Sequence, residues 1–228
     1  MDRRSDETMS RMCRVPGMAR VTSYGVGVVP LGEGATMLCG YAAQEVGCLL
    51  DQVREITAAS PFRRMSVRGR PMSVGMTNCG AVGWVTGPTG YRYDPVDPDT
   101  GRPWPPMPAS FLSLAGRAAA EAGFPRFAPD ACLVNEYLPG SRLSLHRDAD
   151  ERDFAEPIVS VSLGLPATFL FGGLERGETL RRLRLGSGDV VVWGGRARLA
   201  FHGVEPIAGG VDPLAGPRRI NLTFRRAM

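Results

Sequence analysis

The chain contains two histidines, and the segments around both suggest metal chemistry. His146 lies in LSLHRDADE, and His202 lies far downstream in LAFHGVEP. Because side chains alternate along an extended strand, His146 and Asp148 face the same side. Two histidines and one carboxylate form the facial triad of non-haem Fe(II) sites, which leaves three coordination positions open. The pattern therefore predicts a metal centre formed by His146, Asp148 and His202.

These residue types also allow other interpretations. A His-x-Asp pair and a distant histidine often occur as ordinary surface or core residues. The same three ligands could instead hold a hydrolytic zinc ion with water in the fourth position. Spacing alone leaves these alternatives open.

The C-terminal segment RINLTFR predicts a strand with one apolar and one polar face. Its first and last residues are arginines, separated by about 20 Å along an extended strand. Two side chains reaching inward would leave a gap of about 6–8 Å, which suits a short dicarboxylate bound by guanidinium groups. An exposed arginine face is the alternative. The candidate ligand-binding residues are Arg219, Asn221, Thr223 and Arg225, with Asn135 and Tyr137 from the run CLVNEYL as further donors.

The elements that position these residues are predicted from periodicity. Residues 42–59 predict an amphipathic helix, and a second helix is expected from Ser110, as N-cap, to Gly123, as C-cap. Residues 61–108 predict loops and short strands. From Ala131 onward, short apolar or alternating runs broken by turns predict an antiparallel sandwich or barrel. The helical positions expected to be buried are Val46, Leu49, Leu50, Val53, Ile56, Phe111, Leu114 and Ala118.

Composition limits the classes of protein. The 228 residues are 43% apolar and 22% charged, which fits one globular domain. The five cysteines form no CxxC pair, so neither a disulfide framework nor a cysteine zinc site is expected. Every basic residue is arginine, which excludes Schiff-base and Walker-type lysine chemistry. The net charge of +4 weakly favours an acidic partner.

The ends and the location of the chain are predicted from hydropathy. Residues 1–20 are polar and lack periodicity, which is typical of a flexible tail. The sequence has no apolar run of 18 residues and no signal-peptide pattern. We therefore expect a cytoplasmic monomer that does not contact the membrane.

Residues from about Pro61 to Arg226 resemble the AlkB family of Fe(II) and 2-oxoglutarate dependent dioxygenases, which repair alkylated nucleic acid. The similarity covers nearly three quarters of the chain, with the motifs in the family's order. The matching segments are SPFRRMSV, MSVGMTNCGAVGWVT, PWPPMP, PDACLVNEY, LSLHRDADE, PIVSVSLGLPATFLFGG, GDVVVWGG, FHGV and NLTFR.

The resemblance implies a mainly β fold with flanking helices within a single domain, residues 21–228. A double-stranded β-helix (jelly-roll) core is expected over about 130–226, and an N-terminal helical and loop lid that recognises the nucleotide over about 61–108. It implies Fe(II), 2-oxoglutarate as co-substrate and O₂. The iron ligands would be His146, Asp148 and His202, and the residues binding 2-oxoglutarate would be Asn135, Tyr137, Arg219, Asn221, Thr223 and Arg225.

The resemblance also implies a nucleotide site. Trp84 would stack on a flipped-out base, with Tyr91 and Tyr93 in the same lid. Asp150, Glu151 and Arg176 would line the substrate side. The two remaining tryptophans, Trp104 and Trp193, are read as structural.

The activity implied is the oxidative removal of methyl groups from 1-methyladenine and 3-methylcytosine, with release of formaldehyde and succinate. Both bases are cationic, which favours stacking on Trp84 and pairing with Asp150. The expected partner is single-stranded or damaged double-stranded DNA, with RNA left open. Two alternatives remain: an oxygenase acting on a protein or small molecule, and a non-catalytic nucleic-acid-binding module.

Three positions depart from the family pattern, one of them Glu136, which replaces a basic residue between Asn135 and Tyr137. Ala149 stands where the best-known family member has a lysine near the nucleic-acid backbone, and Arg70 stands in the lid where an aromatic is expected. The missing cation at Ala149 is expected to weaken backbone binding or to change strand preference.

Overall fold

The fold comes from a computed structural model that describes residues 27–67, 70–87 and 90–228. The tail predicted over residues 1–20 lies outside the described residues, as does the side chain of Arg70. None of the described helices is long and apolar enough to cross a membrane.

The larger layer of the described chain is an antiparallel sheet of seven strands. Its central strands are the valine- and isoleucine-rich runs that the sequence predicts as strands, because branched side chains favour extended backbone. One edge strand comes from the region predicted as loops and short strands, and almost all of it is buried. In spatial order the strands are β1 (Gly27–Gly32), β2 (Ala35–Cys39), β13 (Val190–Trp193), β10 (Ile158–Gly164), β15 (Arg219–Arg225), β8 (Ala131–Tyr137) and β5 (Gly75–Gly80).

A second antiparallel sheet, of four strands, packs with the larger one. Met37 and Trp193 of the larger sheet share one buried cluster with Phe169 and Phe171 of the smaller. Two antiparallel sheets that enclose a common core are typical of the jelly-roll. The predicted jelly-roll core is therefore confirmed. The strands of the smaller sheet, in spatial order, are β12 (Arg181–Leu185), β11 (Ala167–Phe171), β14 (His202–Val204) and β9 (Leu143–His146).

Two helices, α1 (Val46–Ala59) and α2 (Ala109–Glu121), pack on the larger sheet. Their apolar faces meet Leu222 and Phe224 of β15 in a second buried cluster. The apolar residues of β15 therefore point towards the helices, and its polar residues point the other way. Every helical position predicted to be buried is buried.

The observed caps of α2 differ from the predicted ones by one or two residues. Pro108 is the N-cap; the prediction of Ser110 was wrong, and its hydroxyl instead bonds a glutamine of α1. Proline suits the start of a helix because its φ is already helical and it has no N–H to satisfy. At the other end, Gly123 has a φ of +93°, and the Phe124 N–H donates to the Ala119 carbonyl. The C-cap is Ala122, one residue before the predicted Gly123, and the glycine ends the helix in a Schellman arrangement.

A short hairpin that lies between α1 and α2 in the sequence contains Trp84. Asn78 of β5 holds the Trp84 backbone: its Oδ1 accepts from the N–H at 3.0 Å and its Nδ2 donates to the carbonyl at 3.1 Å. A Cβ at Gly83 would lie 2.4 Å from the buried Trp104 ring, so only glycine allows this approach. The hairpin is thus anchored to the edge of the larger sheet. The short strands of this region are β3 (Ser66–Val67), β4 (Arg70–Pro71), β6 (Gly83–Gly87) and β7 (Gly90–Asp94).

Candidate active site

The three predicted metal ligands lie together. His146 ends β9 and His202 begins β14, and the two are direct partners in the smaller sheet. Asp148 follows β9, with Oδ1 3.6 Å from His146 Nε2 and Oδ2 3.8 Å from His202 Nε2. One donor atom from each residue can be chosen so that all three lie within 4.8 Å of one another. Bonds of about 2–2.2 Å place two ligands of one ion at most about 4.4 Å apart, and both distances between Asp148 and a histidine lie within that limit.

Local hydrogen bonds orient both imidazoles. His146 Nδ1 lies 2.8 Å from the Ser144 carbonyl, and His202 Nδ1 lies 3.0 Å from the Ala200 carbonyl. Because a carbonyl can only accept, each Nδ1 carries the proton and each Nε2 lone pair is free. This is the arrangement in which histidines bind metals.

Charge further favours a cation here. Burial would raise the pKa of Asp148, but Arg225 and the two imidazoles outweigh burial and hold that pKa well below its usual range. Burial, together with the neighbouring His146, lowers the pKa of His202 to about 4. At neutral pH the site therefore offers an anionic carboxylate and a neutral His202, the forms that bind metal.

The triad lies in a cavity of about 590 Å³. Its polar wall is formed by β8 and β15, where Arg219 is opposite Tyr137 and Asn221 is opposite Asn135. The exposed arginine face considered in the sequence analysis is excluded, because Arg219 is 1% exposed. All six residues predicted to bind the co-substrate line this cavity: Asn135, Tyr137, Arg219, Asn221, Thr223 and Arg225.

The polar wall fits a small anion. Arg219 donates to Ser162 Oγ at 3.0 Å and lies 4.9 Å from the Tyr137 ring centre. Its described neighbours Ser162 and Tyr137 are neutral, its buried Nε and Nη1 lack a well-formed hydrogen bond, and it makes no ion pair with the described residues. Buried polar groups are normally paired, and a buried cation needs a counter-ion. A ligand carboxylate supplies both, so the residues present fit 2-oxoglutarate.

Arg225 is engaged differently from Arg219. Its Nε lies 2.9 Å from Asp148 Oδ2 and 3.3 Å from Glu151 Oε1. The resemblance pairs Arg225 with the co-substrate, whereas the structure pairs it with the aspartate of the triad. Thr223 Oγ1 donates to Asn221 Oδ1 at 2.9 Å, so these two form a satisfied part of the wall.

Aromatic and acidic side chains lie at another part of the cavity lining. Trp84 and Tyr91 stack with ring centres 5.0 Å apart, and Tyr91 is 47% exposed. Trp84 Nε1 donates to Asp150 Oδ2 at 2.8 Å. These three residues therefore combine an aromatic face and a carboxylate in the cavity that contains the triad.

Three predicted substrate residues do not line the cavity. Tyr93 donates its hydroxyl to Glu151 Oε1 at 2.6 Å, and Glu151 is only 6% exposed. The Glu151 carboxylate is also paired with Arg198, so the structure places it in a buried ion cluster rather than on the substrate side. Arg176 is exposed and lies over the Phe201 ring at 5.1 Å.

Two residues of the site were not predicted from the sequence. Trp193, read as structural, lines the cavity with its ring centre 4.9 Å from that of His202, and its Nε1 has no hydrogen-bond partner among the described residues. Arg198 is buried and donates to the Asp148 carbonyl at 2.9 Å. Arg198 lies four residues before His202, which is the one sequence feature that links it to the site. No sequence pattern distinguishes it from the other arginines.

This combination of fold and site defines a non-haem iron oxygenase with a pocket for an acidic co-substrate, rather than a hydrolytic zinc enzyme. The sequence matches the 2OG-Fe(II) oxygenase superfamily over residues 34–225. It is 54% identical over 199 residues to the alpha-ketoglutarate-dependent dioxygenase AlkB of Escherichia coli, covering 87% of this chain and 92% of that protein. The chain therefore belongs to the 2OG-Fe(II) oxygenase superfamily and, within it, to the AlkB family of dioxygenases.

Two further similarities agree with this assignment. The DNA N(6)-methyladenine demethylase ALKBH1C of Arabidopsis thaliana is 35% identical over 165 residues, covering 61% of this chain and 36% of that protein. The solved structure of OsALKBH1 aligns with a TM-score of 0.77 at 28% identity, over 88% of this chain and 100% of that one. Fe(II), 2-oxoglutarate and O₂ are the cofactors of the family.

Proposed function

We propose that this protein repairs alkylated DNA by oxidising the N-methyl groups of 1-methyladenine and 3-methylcytosine. One observation carries the proposal: Trp84 and Asp150, bonded to each other, lie in the same cavity as the His146–Asp148–His202 triad. An aromatic face and a carboxylate are the groups that bind a flat cationic ring. The relatives named as AlkB dioxygenases and as a DNA demethylase support it.

Different residues of the site bind the metal, the co-substrate and the base. His146, Asp148 and His202 hold the metal, while Arg219, Asn135 and Tyr137 bind and orient 2-oxoglutarate. When bound, Fe(II) with 2-oxoglutarate and O₂ supplies the oxidation of the methyl carbon. The hydroxylated methyl group is a hemiaminal, which releases formaldehyde and restores the base.

Recognition favours a methylated base because alkylation fixes a positive charge on the ring. Stacking on Trp84 contributes about 0.5–2 kcal/mol of cation–π attraction, and Asp150 attracts the same charge. The methyl group lies on the pairing edge, so the base must leave the duplex or come from a single strand. A methylated base that already cannot pair needs less free energy to leave the duplex.

The proposal is tested by formaldehyde release. Purified protein is incubated with Fe(II), ascorbate, 2-oxoglutarate and an oligonucleotide carrying one 1-methyladenine, with the unmodified oligonucleotide as control. We expect formaldehyde and succinate in equal amounts from the methylated strand alone. Asp148→Ala should remove both products. Formaldehyde production that continues in Asp148→Ala contradicts the ligand assignment.

The same assay decides between acceptors. Methylated RNA replaces DNA in a parallel series, because the sequence leaves that choice open. Succinate formation that does not respond to any methylated oligonucleotide indicates an oxygenase of a protein or small molecule. Oligonucleotide binding without any turnover indicates a non-catalytic binding module.

We also propose that the protein acts as a cytoplasmic monomer. Cys39, Cys79 and Cys132 form no disulfide with one another, as expected in a reducing compartment. The triad, the six predicted co-substrate residues and Trp84 all line one cavity of a single chain, which supports a monomer. Sedimentation of the active protein with and without oligonucleotide tests the monomer.

A further inference from the structure

Asp148 differs from the two histidines in how the backbone holds it. His146 and His202 belong to paired strands, so the sheet fixes their positions. Asp148 lies beyond the end of β9, within residues 147–150, which form no regular secondary structure. Contacts from side chains must therefore fix its position.

Two buried arginines supply those contacts. Arg225 binds the Asp148 carboxylate through Nε at 2.9 Å. Arg198 Nη1 donates to the Asp148 backbone carbonyl at 2.9 Å, and its Nε donates to the Glu156 carbonyl at 3.0 Å. One arginine thus holds the side chain of Asp148 and the other holds its main chain.

One carboxylate joins the two arginines. Glu151 Oε2 lies 3.0 Å from Arg198 Nη2, and Oε1 lies 3.3 Å from Arg225 Nε. Tyr93 donates its hydroxyl to the same Oε1 at 2.6 Å. The Glu151 side chain is 1% exposed, so its carboxylate interacts with these partners and not with solvent.

The charges explain why this carboxylate matters to the metal. Without Glu151, two buried guanidinium groups would face Asp148 as their remaining anion. A buried charge that loses its partner is left uncompensated, so a remaining nearby anion becomes its main electrostatic partner. Asp148 would then be drawn towards the arginines, and an arriving cation would meet an excess of positive charge.

We propose that Glu151 is a positioning residue of the metal centre, which holds Arg198 and Arg225 so that they orient Asp148 towards the ion. The two arginines contact Asp148 directly, and altering the groups that hold a metal ligand typically changes metal affinity by about 10- to 100-fold. The role differs from the substrate contact that the family resemblance implies for Glu151. It does not depend on the nucleic-acid substrate.

The test measures metal binding without nucleic acid. Mn²⁺ is titrated by calorimetry into the purified metal-free protein, and circular dichroism and thermal unfolding report the fold. Glu151→Gln keeps the size of the side chain but removes its charge, and should weaken Mn²⁺ binding at least about tenfold. The matched control is Glu136→Gln, the same change in a partly buried pair with Arg218 that does not line the cavity. It should leave the Mn²⁺ affinity unchanged.

A second variant separates positioning from charge. Arg198→Lys keeps the cation but cannot form all three contacts to the Asp148 carbonyl, the Glu156 carbonyl and Glu151. We expect its Mn²⁺ affinity to fall about tenfold as well. If Glu151→Gln does not fold, the Mn²⁺ affinity of Arg198→Lys alone tests the proposal. Wild-type affinity in either folded variant overturns the proposal.

Discussion

His202 lies directly opposite His146 in the antiparallel pair formed by β14 and β9, with the ring centres 4.4 Å apart. Two ligands that are distant in sequence are therefore brought together by strand register alone. Each ring is then oriented by a carbonyl two residues earlier in its own segment. The metal site thus has two ligands set by the sheet, and a third, Asp148, set by side chains.

Arg219→Met should weaken 2-oxoglutarate binding strongly without reducing the stability of the ligand-free protein. Arg219 is a buried cation with no ion-pair partner among the described residues, so an apolar side chain of similar length removes a desolvated charge. Losing one partner of a buried charge pair costs about 2–5 kcal/mol of binding, at least about 30-fold in affinity. Calorimetric titration of 2-oxoglutarate and thermal unfolding measure the two effects.

Ligand-induced stabilisation gives the control for this prediction. Adding 2-oxoglutarate should raise the unfolding midpoint of the wild type and leave that of Arg219→Met unchanged. Arg182→Met, which breaks an exposed pair with Glu205, should respond as the wild type does. A variant at Arg219 that still gains stability from 2-oxoglutarate would show that another group binds its carboxylate.

Much of this site could be predicted from the sequence, because side chains alternate along strands and repeat along helices with fixed periods. Alternation along β15 separates Arg219 from Ile220, so the residue types alone identify the face that needs a ligand. The triad could be proposed because the chain has only two histidines, one of them two residues from Asp148. Helical periodicity likewise located α1, since one apolar face must be buried.

The contacts that join distant loops could not be predicted in this way. The family resemblance places Glu151 on the substrate side, and only the folded chain shows it buried between Arg198 and Arg225. Trp193 ends a core strand and shows no sign in sequence of facing His202. Such residues depend on packing between elements far apart in sequence, for which a single chain has no periodic signal.

Asp150→Asn should lower activity on cationic bases selectively. Trp84 gives any base a stacking surface, whereas the Asp150 carboxylate attracts only a positive ring. We expect kcat/KM for 3-methylcytosine to fall about tenfold, and that for the neutral 3-methylthymine to change by less than about twofold. Formaldehyde release from two oligonucleotides that differ only at the lesion measures this difference.

Trp84→Ala serves as the comparison for this experiment. Loss of the aromatic face should raise KM for both lesions, because stacking contributes about 1–3 kcal/mol for any base. Equal losses on the two lesions in Asp150→Asn would instead assign that carboxylate to holding Trp84, through the bond to its Nε1.

His202 should make the metal-free protein less stable as the pH falls from about 6.5 to 4. Burial lowers its pKa to about 4 in the folded state, against about 6.5 when unfolded. Between these values the unfolded chain binds a proton that the folded chain does not, so stability falls with falling pH by at most about 3 kcal/mol. Urea unfolding at several pH values in the presence of a chelator, for wild type and His202→Asn, isolates this contribution. Free energies of unfolding that run parallel in the two proteins over this range would mean that His202 takes up its proton equally well in both states.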